Sequence, residues 1–393
     1  MALIHLQEPA LPPGQGFALF ALGFRPFYLL AALFAGLAVP VWALVFSNVL
    51  SLPMPGILWH AHEMIFGFAC AVIIGFLFTA GRNWTGLPTP TGKPLAALAA
   101  LWLVGRVGMA FDSGIIASIF DMLFLPLAAT ALARVLIKAK SQRNYFVPVM
   151  LSVLSLANLL FHLARFGVLM IDPLRPLLFA LSLIVLLETV IGGRVIPMFT
   201  AAALRGVRQW QHTWLNHAAI VATLIALLLW VTEVGIVLAP VAIIAATLQL
   251  IRCIGWNPWA TRRTPLLWIL HLGHLWIPLG LLLLAAAAMG WLPRSAGVHA
   301  FSIGATGGLI IGMITRTALG HTGRKLIAGP VEMTAYALVQ LAAVVRVLTL
   351  LALPAAVFGG IYVAAGLWSI AFLAFFLRYQ PWLMRARPDG QPG

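Results

Sequence analysis

Runs of about twenty apolar residues, repeated from one end of the chain to the other, constrain this sequence more than any other feature. A helix rising 1.5 Å per residue needs about 20 such residues to cross a hydrocarbon core roughly 30 Å thick. Twelve runs of that kind can be drawn, over 17–46, 57–80, 94–111, 114–137, 146–170, 174–197, 213–232, 236–253, 266–289, 297–319, 331–352 and 355–377. Of the 393 residues 62% are hydrophobic and only 8% charged, where a soluble domain carries about 25% charged residues. The expected fold is therefore all-α: a polytopic transmembrane bundle of about 12 spans, forming a single domain over 1–393 with a short polar N-terminus (1–16) and a short basic tail (378–393). Two cysteines, Cys70 and Cys253, are too few for a disulfide scaffold, and continuous rather than alternating apolar runs exclude an outer-membrane barrel.

A net charge of +15 invites a nucleic-acid reading, but the positions of the 24 basic residues remove it. Only Arg175 and Arg294 fall in linkers after odd-numbered spans, and Arg25, Arg106, Arg165 and Arg346 fall within spans. The other 18 lie in linkers after even-numbered spans or in the C-terminal tail. That asymmetry is the positive-inside pattern, and it predicts that both termini are cytoplasmic. Residues 1–16 carry His5 and Glu8 but no basic n-region, so no cleavable signal is expected. A multi-pass protein of a bacterial inner membrane follows, with the lipid bilayer as its surroundings and no nucleic-acid partner. The linkers leave no room for a soluble domain, and no internal repeat is evident.

Ionisable residues inside spans are costly, and each one raises a question of function. With the topology fixed, the histidines fall into two layers. The outer layer begins with Trp59-His60-Ala61-His62-Glu63-Met64 at the start of the second span. His162 on the fifth span and His299 at the start of the tenth fall at similar depth. Arg106, Asp112, Asp121 and Arg165 join them there on the third, fourth and fifth spans. Three helices can thus bring His60, His62, His162 and His299 together as metal ligands, because imidazoles on facing bundle helices hold haem iron, copper or zinc. His60 and Glu63 share a helical face, whereas His60 and His62 share one only if the chain is extended at that point. The plainer reading places such histidines in the interface, against headgroups, and makes Asp112 a solvated turn residue.

The inner layer holds His271 and His274 on the ninth span, His217 near the start of the seventh and His321 just past the tenth. These four are candidates for cofactor ligation; His271 and His274, at i and i+3, serve equally well as helix-packing polar residues. Glu188, mid-span in the sixth helix, is a structural acid, a partner for a neighbour such as Arg194, or a proton relay. Gly304-Ala305-Thr306-Gly307-Gly308 permits close helix approach. A nucleophile elbow and a Cys-x-x-Cys are both absent, which removes hydrolase and iron–sulfur readings.

Several blocks together resemble the NnrS family: Trp59 to Met64 with Gly67-Phe68 after it, Asn83-Trp84-Thr85-Gly86, Gly193 to Thr200, Thr315 to Arg324, and the early Gly23-Phe24-Arg25-Pro26. The resemblance implies a twelve-span bacterial inner-membrane protein that contains haem and copper and is associated with nitric oxide stress and denitrification. On that basis the outer histidines are expected to form a cofactor site in which Glu63 accepts a ring N–H and Arg106 and Arg165 neutralise haem propionates or an anionic ligand. Nitric oxide is the expected small ligand. Protons for its reduction are expected to enter from outside through Glu63, the residue singled out as catalytic. The alternative is a secondary transporter of twelve spans without a redox cofactor, but a carrier should show related halves and the histidine-bearing spans do not repeat.

Overall fold

The computed structural model describes residues 16–352 and 356–391; the polar stretch 1–15, with His5 and Glu8, lies outside the described residues. Among the described residues twelve helices are long and apolar enough to cross a membrane. Spans 1 to 6 are Phe24–Phe46, Gly56–Thr85, Gly92–Phe111, Ile115–Lys138, Gln142–Arg165 and Leu174–Ala203. Spans 7 to 12 are Thr213–Val231, Gly235–Gly255, Pro265–Ala288, Ser295–His321, Pro330–Leu351 and Val357–Leu383. The described residues contain no strand beyond an isolated bridge between Phe17 and Arg385. The protein is a multi-pass, all-helical membrane protein.

Each apolar run forms one helix, because a backbone in hydrocarbon must satisfy its own hydrogen bonds. Boundaries move where local chemistry intervenes. The first span starts at Phe24 rather than 17, because Ala18 N–H donates to the Met384 carbonyl (2.9 Å) and holds that stretch against the C-terminal tail. The second runs on through Arg82 until Gly86, at φ 68°, supplies the left-handed residue that closes it. The sixth continues past Pro197 to Ala203, and the twelfth runs to Leu383, so the basic tail is shorter than its sequence suggests. Arg82 and Arg378 therefore ride near helix ends, where long basic side chains reach the interface.

Spans 2, 9 and 10 are the innermost, with 83%, 67% and 72% of their central windows buried, against 33% for span 7. The outer helices turn side chains such as Ile236 (91% exposed) toward lipid. Spans 9 and 10 meet at glycines: a Cβ on Gly273 would stand 2.9 Å from the backbone of Gly308. The two innermost even spans share one irregularity. Each opens with a short α-helix, passes through a wider π-helical stretch (Glu63–Ala69 in span 2, Ala300–Gly307 in span 10), and then returns to α geometry. Both stretches lie at the end of the bundle where even spans begin, opposite the basic end. Sequence alone had not signalled them, and π-turns of this kind concentrate at functional sites.

Candidate functional site

The α-helical turn that opens span 2 decides where its histidines point. His60 ends up on the side facing spans 1, 10 and 11: its ring stacks on Trp42 at 4.0 Å, and it lies within electrostatic reach of His299 and Arg346. His62 and Glu63 turn the other way, toward spans 3, 4 and 5. The four outer histidines expected to converge are thus divided into two pairs, one on each side of a single helix. Two residues apart on a helix are about 200° apart in azimuth, so this separation is what helical geometry requires.

On the His62 side the polar groups are closely linked. His62 Nδ1–H donates to Glu63 Oε1 at 2.9 Å. His62 Nε2 lies 3.1 Å from Asp121 Oδ2 and 3.0 Å from Asn158 Oδ1. His162 Nε2 lies 2.8 Å from the same Asp121 oxygen, and Asn158 Nδ2 donates to it at 2.9 Å. Arg106 bridges both acids, reaching Glu63 Oε1 at 2.6 Å and bonding Asp121 Oδ1 with its other terminal nitrogen. Arg165 donates to His162 Nδ1 (3.1 Å) and to Ser118 Oγ (2.7 Å), and also bonds the Ser113 carbonyl. His62 and Glu63 are fully buried, and Asp121, Asn158 and His162 nearly so.

Small residues make these contacts possible. A Cβ on Gly67 would lie 3.2 Å from Arg106 Nη1, and one on Gly105 would lie 3.1 Å from the backbone of Asp121. The Gly67 carbonyl, inside the π-helical stretch, accepts a hydrogen bond from Trp102 Nε1 at 3.0 Å. Phe161 stacks on His62 with ring centroids 4.7 Å apart.

Chemically, one set of atoms stands out. His62, Asp121 and His162 each offer a ligand atom, and these atoms all lie within 4.8 Å of one another. Two imidazoles and a carboxylate on spans 2, 4 and 5 form a donor set that suits a transition metal. Asn158 is the member that the sequence reading missed; an asparagine in an apolar helix, one turn before His162, is the signal that marked it. Asp112 is exposed, as expected of a turn residue.

The inner candidates do not converge. His217 is exposed at the start of span 7, and His321 is half-buried against Phe24 at the basic end. His271 is bonded through Nε2 to Thr200 Oγ1 (2.9 Å), while His274 is fully buried with neither ring nitrogen hydrogen-bonded. Glu63 is fully buried, with Oε1 shared by His62 and Arg106. No curated protein matches the chain. The NnrS protein family matches residues 18–387, nearly all of the sequence, and the chain belongs to that family.

Proposed function

We propose that this NnrS-family protein resides in a bacterial inner membrane with both termini in the cytoplasm, carries copper and haem near the periplasmic face, and handles nitric oxide there in the response to nitrosative stress. The charge asymmetry between the two ends of the bundle supports the orientation. The observation that carries the reading is the convergence of His62, Asp121 and His162 inside an apolar bundle.

Copper fits this centre by donor type. Imidazole nitrogens suit copper, and the second nitrogen of His62 already donates to a carboxylate, the arrangement that orients a ligand histidine. Glu63 and Asp121 bring two carboxylates against the one guanidinium of Arg106. A cation on the Nε2 side of His62 meets the two acceptor oxygens of Asp121 and Asn158 that face the ring there.

Haem fits the opposite side of span 2, on orphaned polar atoms. His299 Nδ1–H donates to the Ser295 carbonyl at 2.7 Å, which leaves Nε2 for a metal. His60 Nδ1 and the Nε and Nη1 atoms of Arg346 are buried without a hydrogen-bond partner. His60 and His299 would hold the iron and Arg346 a propionate. When bound, haem and copper supply one-electron chemistry and an open coordination position for nitric oxide. The chain's own contribution is positional: Glu63 orients His62, Arg165 holds His162 through Nδ1 so that Nε2 would bind a metal in place of the proton it gives Asp121, Arg106 fixes both carboxylates, and Phe161 and Trp42 shield the rings. Nitric oxide, small and uncharged, reaches this depth through the bilayer without a polar channel.

The test is metal analysis and a visible spectrum of purified protein, followed by anaerobic addition of nitric oxide to the reduced form. His162→Ala should lose copper and keep the Soret band, and His299→Ala should do the reverse. A spectral shift with no consumption of nitric oxide would assign a binding role rather than turnover. Absence of both copper and a Soret band overturns the proposal in favour of a carrier.

A further inference from the structure

The linker between spans 8 and 9 carries two adjacent cations, Arg262 and Arg263, and no acid from Trp256 to Thr264. Its own hydrogen bonds fix its shape. Asn257, at φ 58°, turns the chain and donates through Nδ2 to the Arg208 carbonyl (3.1 Å). A single 3-10 turn, Pro258–Thr261, follows, closed by the Thr261 hydroxyl on the Pro258 carbonyl at 2.7 Å. This turn forms the mouth of a cavity of about 500 Å³, where Trp259, Thr261 and Arg262 line it at the basic end of the bundle.

Behind the mouth the walls are two helical stripes. Span 8 contributes Leu250 and Ile254, four residues apart, and span 9 contributes Trp268, Leu272 and Leu275, spaced by four and three as one helix face requires. Leu275 lies ten residues beyond Pro265, where span 9 begins, so the cavity runs about 15 Å along that helix. A hydrocarbon core is roughly 30 Å thick, and the cavity is therefore as deep as one leaflet. Ile254 (57% exposed) and Leu272 (36%) leave its side open to lipid. Trp259, 74% exposed, stands at the level where tryptophan borders headgroups.

Polarity falls along the length of the cavity. Arg262 is the one arginine or lysine that lines it, and no carboxylate does. The described acids at the basic end are engaged elsewhere: Glu332 accepts from the Tyr379 hydroxyl (2.9 Å) and Asp389 from Arg387 (2.6 Å). Farther in, His271 offers an anion no proton. The Thr200 hydroxyl donates to the Ile196 carbonyl, so the 2.9 Å contact between Thr200 and His271 is donated by His271 Nε2–H, and Nδ1 of the neutral ring carries a lone pair. Negative charge is thus welcome at the mouth alone, and an aliphatic chain beyond it. A soluble anion would leave the apolar walls uncovered, and a neutral lipid would leave Arg262 without a counter-charge. Basic pockets between membrane helices hold anionic headgroups in this way.

We propose that the cavity between spans 8 and 9 binds an anionic phospholipid from the leaflet at the basic end, with its phosphate on Arg262 and one acyl chain along Leu250, Ile254, Leu272 and Leu275. The site lies apart from the proposed metal ligands, and its failure would leave the copper and haem reading intact.

The test is native mass spectrometry of the purified full-length protein, titrated in detergent with phosphatidylglycerol or phosphatidylcholine. Phosphatidylglycerol should bind more tightly, and Arg262→Gln should weaken it about fivefold while leaving phosphatidylcholine unchanged. Lys140→Gln, which removes an exposed cation elsewhere at the basic end, should bind phosphatidylglycerol as wild type does. Leu272→Trp, which fills the cavity, should lose the tight binding event with Arg262 still in place. Equal affinity for the two lipids overturns the proposal, as does an equal loss in Arg262→Gln and Lys140→Gln. Inorganic phosphate that competes with phosphatidylglycerol at equal concentration also overturns it, in favour of a soluble anion. Should Arg262→Gln fail to fold, the comparison of the two lipids and of phosphate on wild type decides.

Discussion

The Nδ1 atom of His62 lies 2.9 Å from Oε1 of the next residue in the chain, Glu63. Consecutive residues on an α-helix do not face each other. Here they meet where the helix passes from α to π geometry, which sets a candidate ligand histidine and an acid to orient it at adjacent positions in the sequence. Removing that acid's charge alone should be read in the metal. Glu63→Gln should keep the fold and weaken copper affinity roughly 10- to 100-fold, measured by competition with a chelator.

Arg106 is the one cation shared by Glu63 and Asp121. Arg106→Ala should destabilise the protein by about 3–5 kcal/mol, because two buried carboxylates lose their counter-charge. The double variant Arg106→Met with Asp121→Asn should recover part of the loss. Thermal unfolding in detergent, compared across the three proteins, checks the order.

The crossing of spans 9 and 10 depends on bare backbone contact at Gly273 and Gly308. Gly273→Ala places a methyl group against the backbone of Gly308 and Leu309 and should cost about 1–3 kcal/mol. A lowered midpoint in thermal unfolding is the expected result. Gly359→Ala, where a Cβ meets nothing within 4 Å, serves as the matched control.

Both native cysteines are buried, so an introduced thiol can be labelled against a silent background. An impermeant maleimide added to intact cells should modify Met170→Cys and fail to modify Lys140→Cys and Arg208→Cys. The reverse pattern would invert the proposed orientation.

Glu233, in the loop after span 7, binds Arg294 (2.7 Å) and Arg175 (3.0 Å). The Arg294 hydrogen bond and charge, with Arg175 behind them, hold its carboxyl below the usual range. A depressed acid adds stability that is complete above its unfolded pKa and fades as pH falls through its folded one. The difference in thermal midpoint between wild type and Glu233→Gln should therefore be largest near pH 7 and vanish toward about pH 3.

Twelve spans and the depth of each histidine were legible because apolar run length and a fixed rise per residue are one-dimensional quantities. Azimuth was not. His60 and His299 lie on the far side of span 2 from His62 and His162, and that depends on helix phase and on which helices pack against each face, neither of which composition marks. The closeness of His274 to Gly192 was hidden for a different reason: the absence of a side chain means contact only once the packing of spans 6 and 9 is known.

The pairing of the first span with the last bears on how the protein is made. Trp368 Nε1 donates to the Ala35 carbonyl at 3.2 Å across 333 residues of sequence, and Arg25 reaches the carbonyls of Leu383 and Arg385. At about 5–20 residues per second, a ribosome takes roughly 15–70 s to travel that distance. For that interval the first helix waits in the bilayer without its final neighbour, and lipid occupies the face that Gly36 later presents to Leu373. A chain interrupted before its last helix remains an open arc, recognisable to membrane proteases by the seam it cannot close.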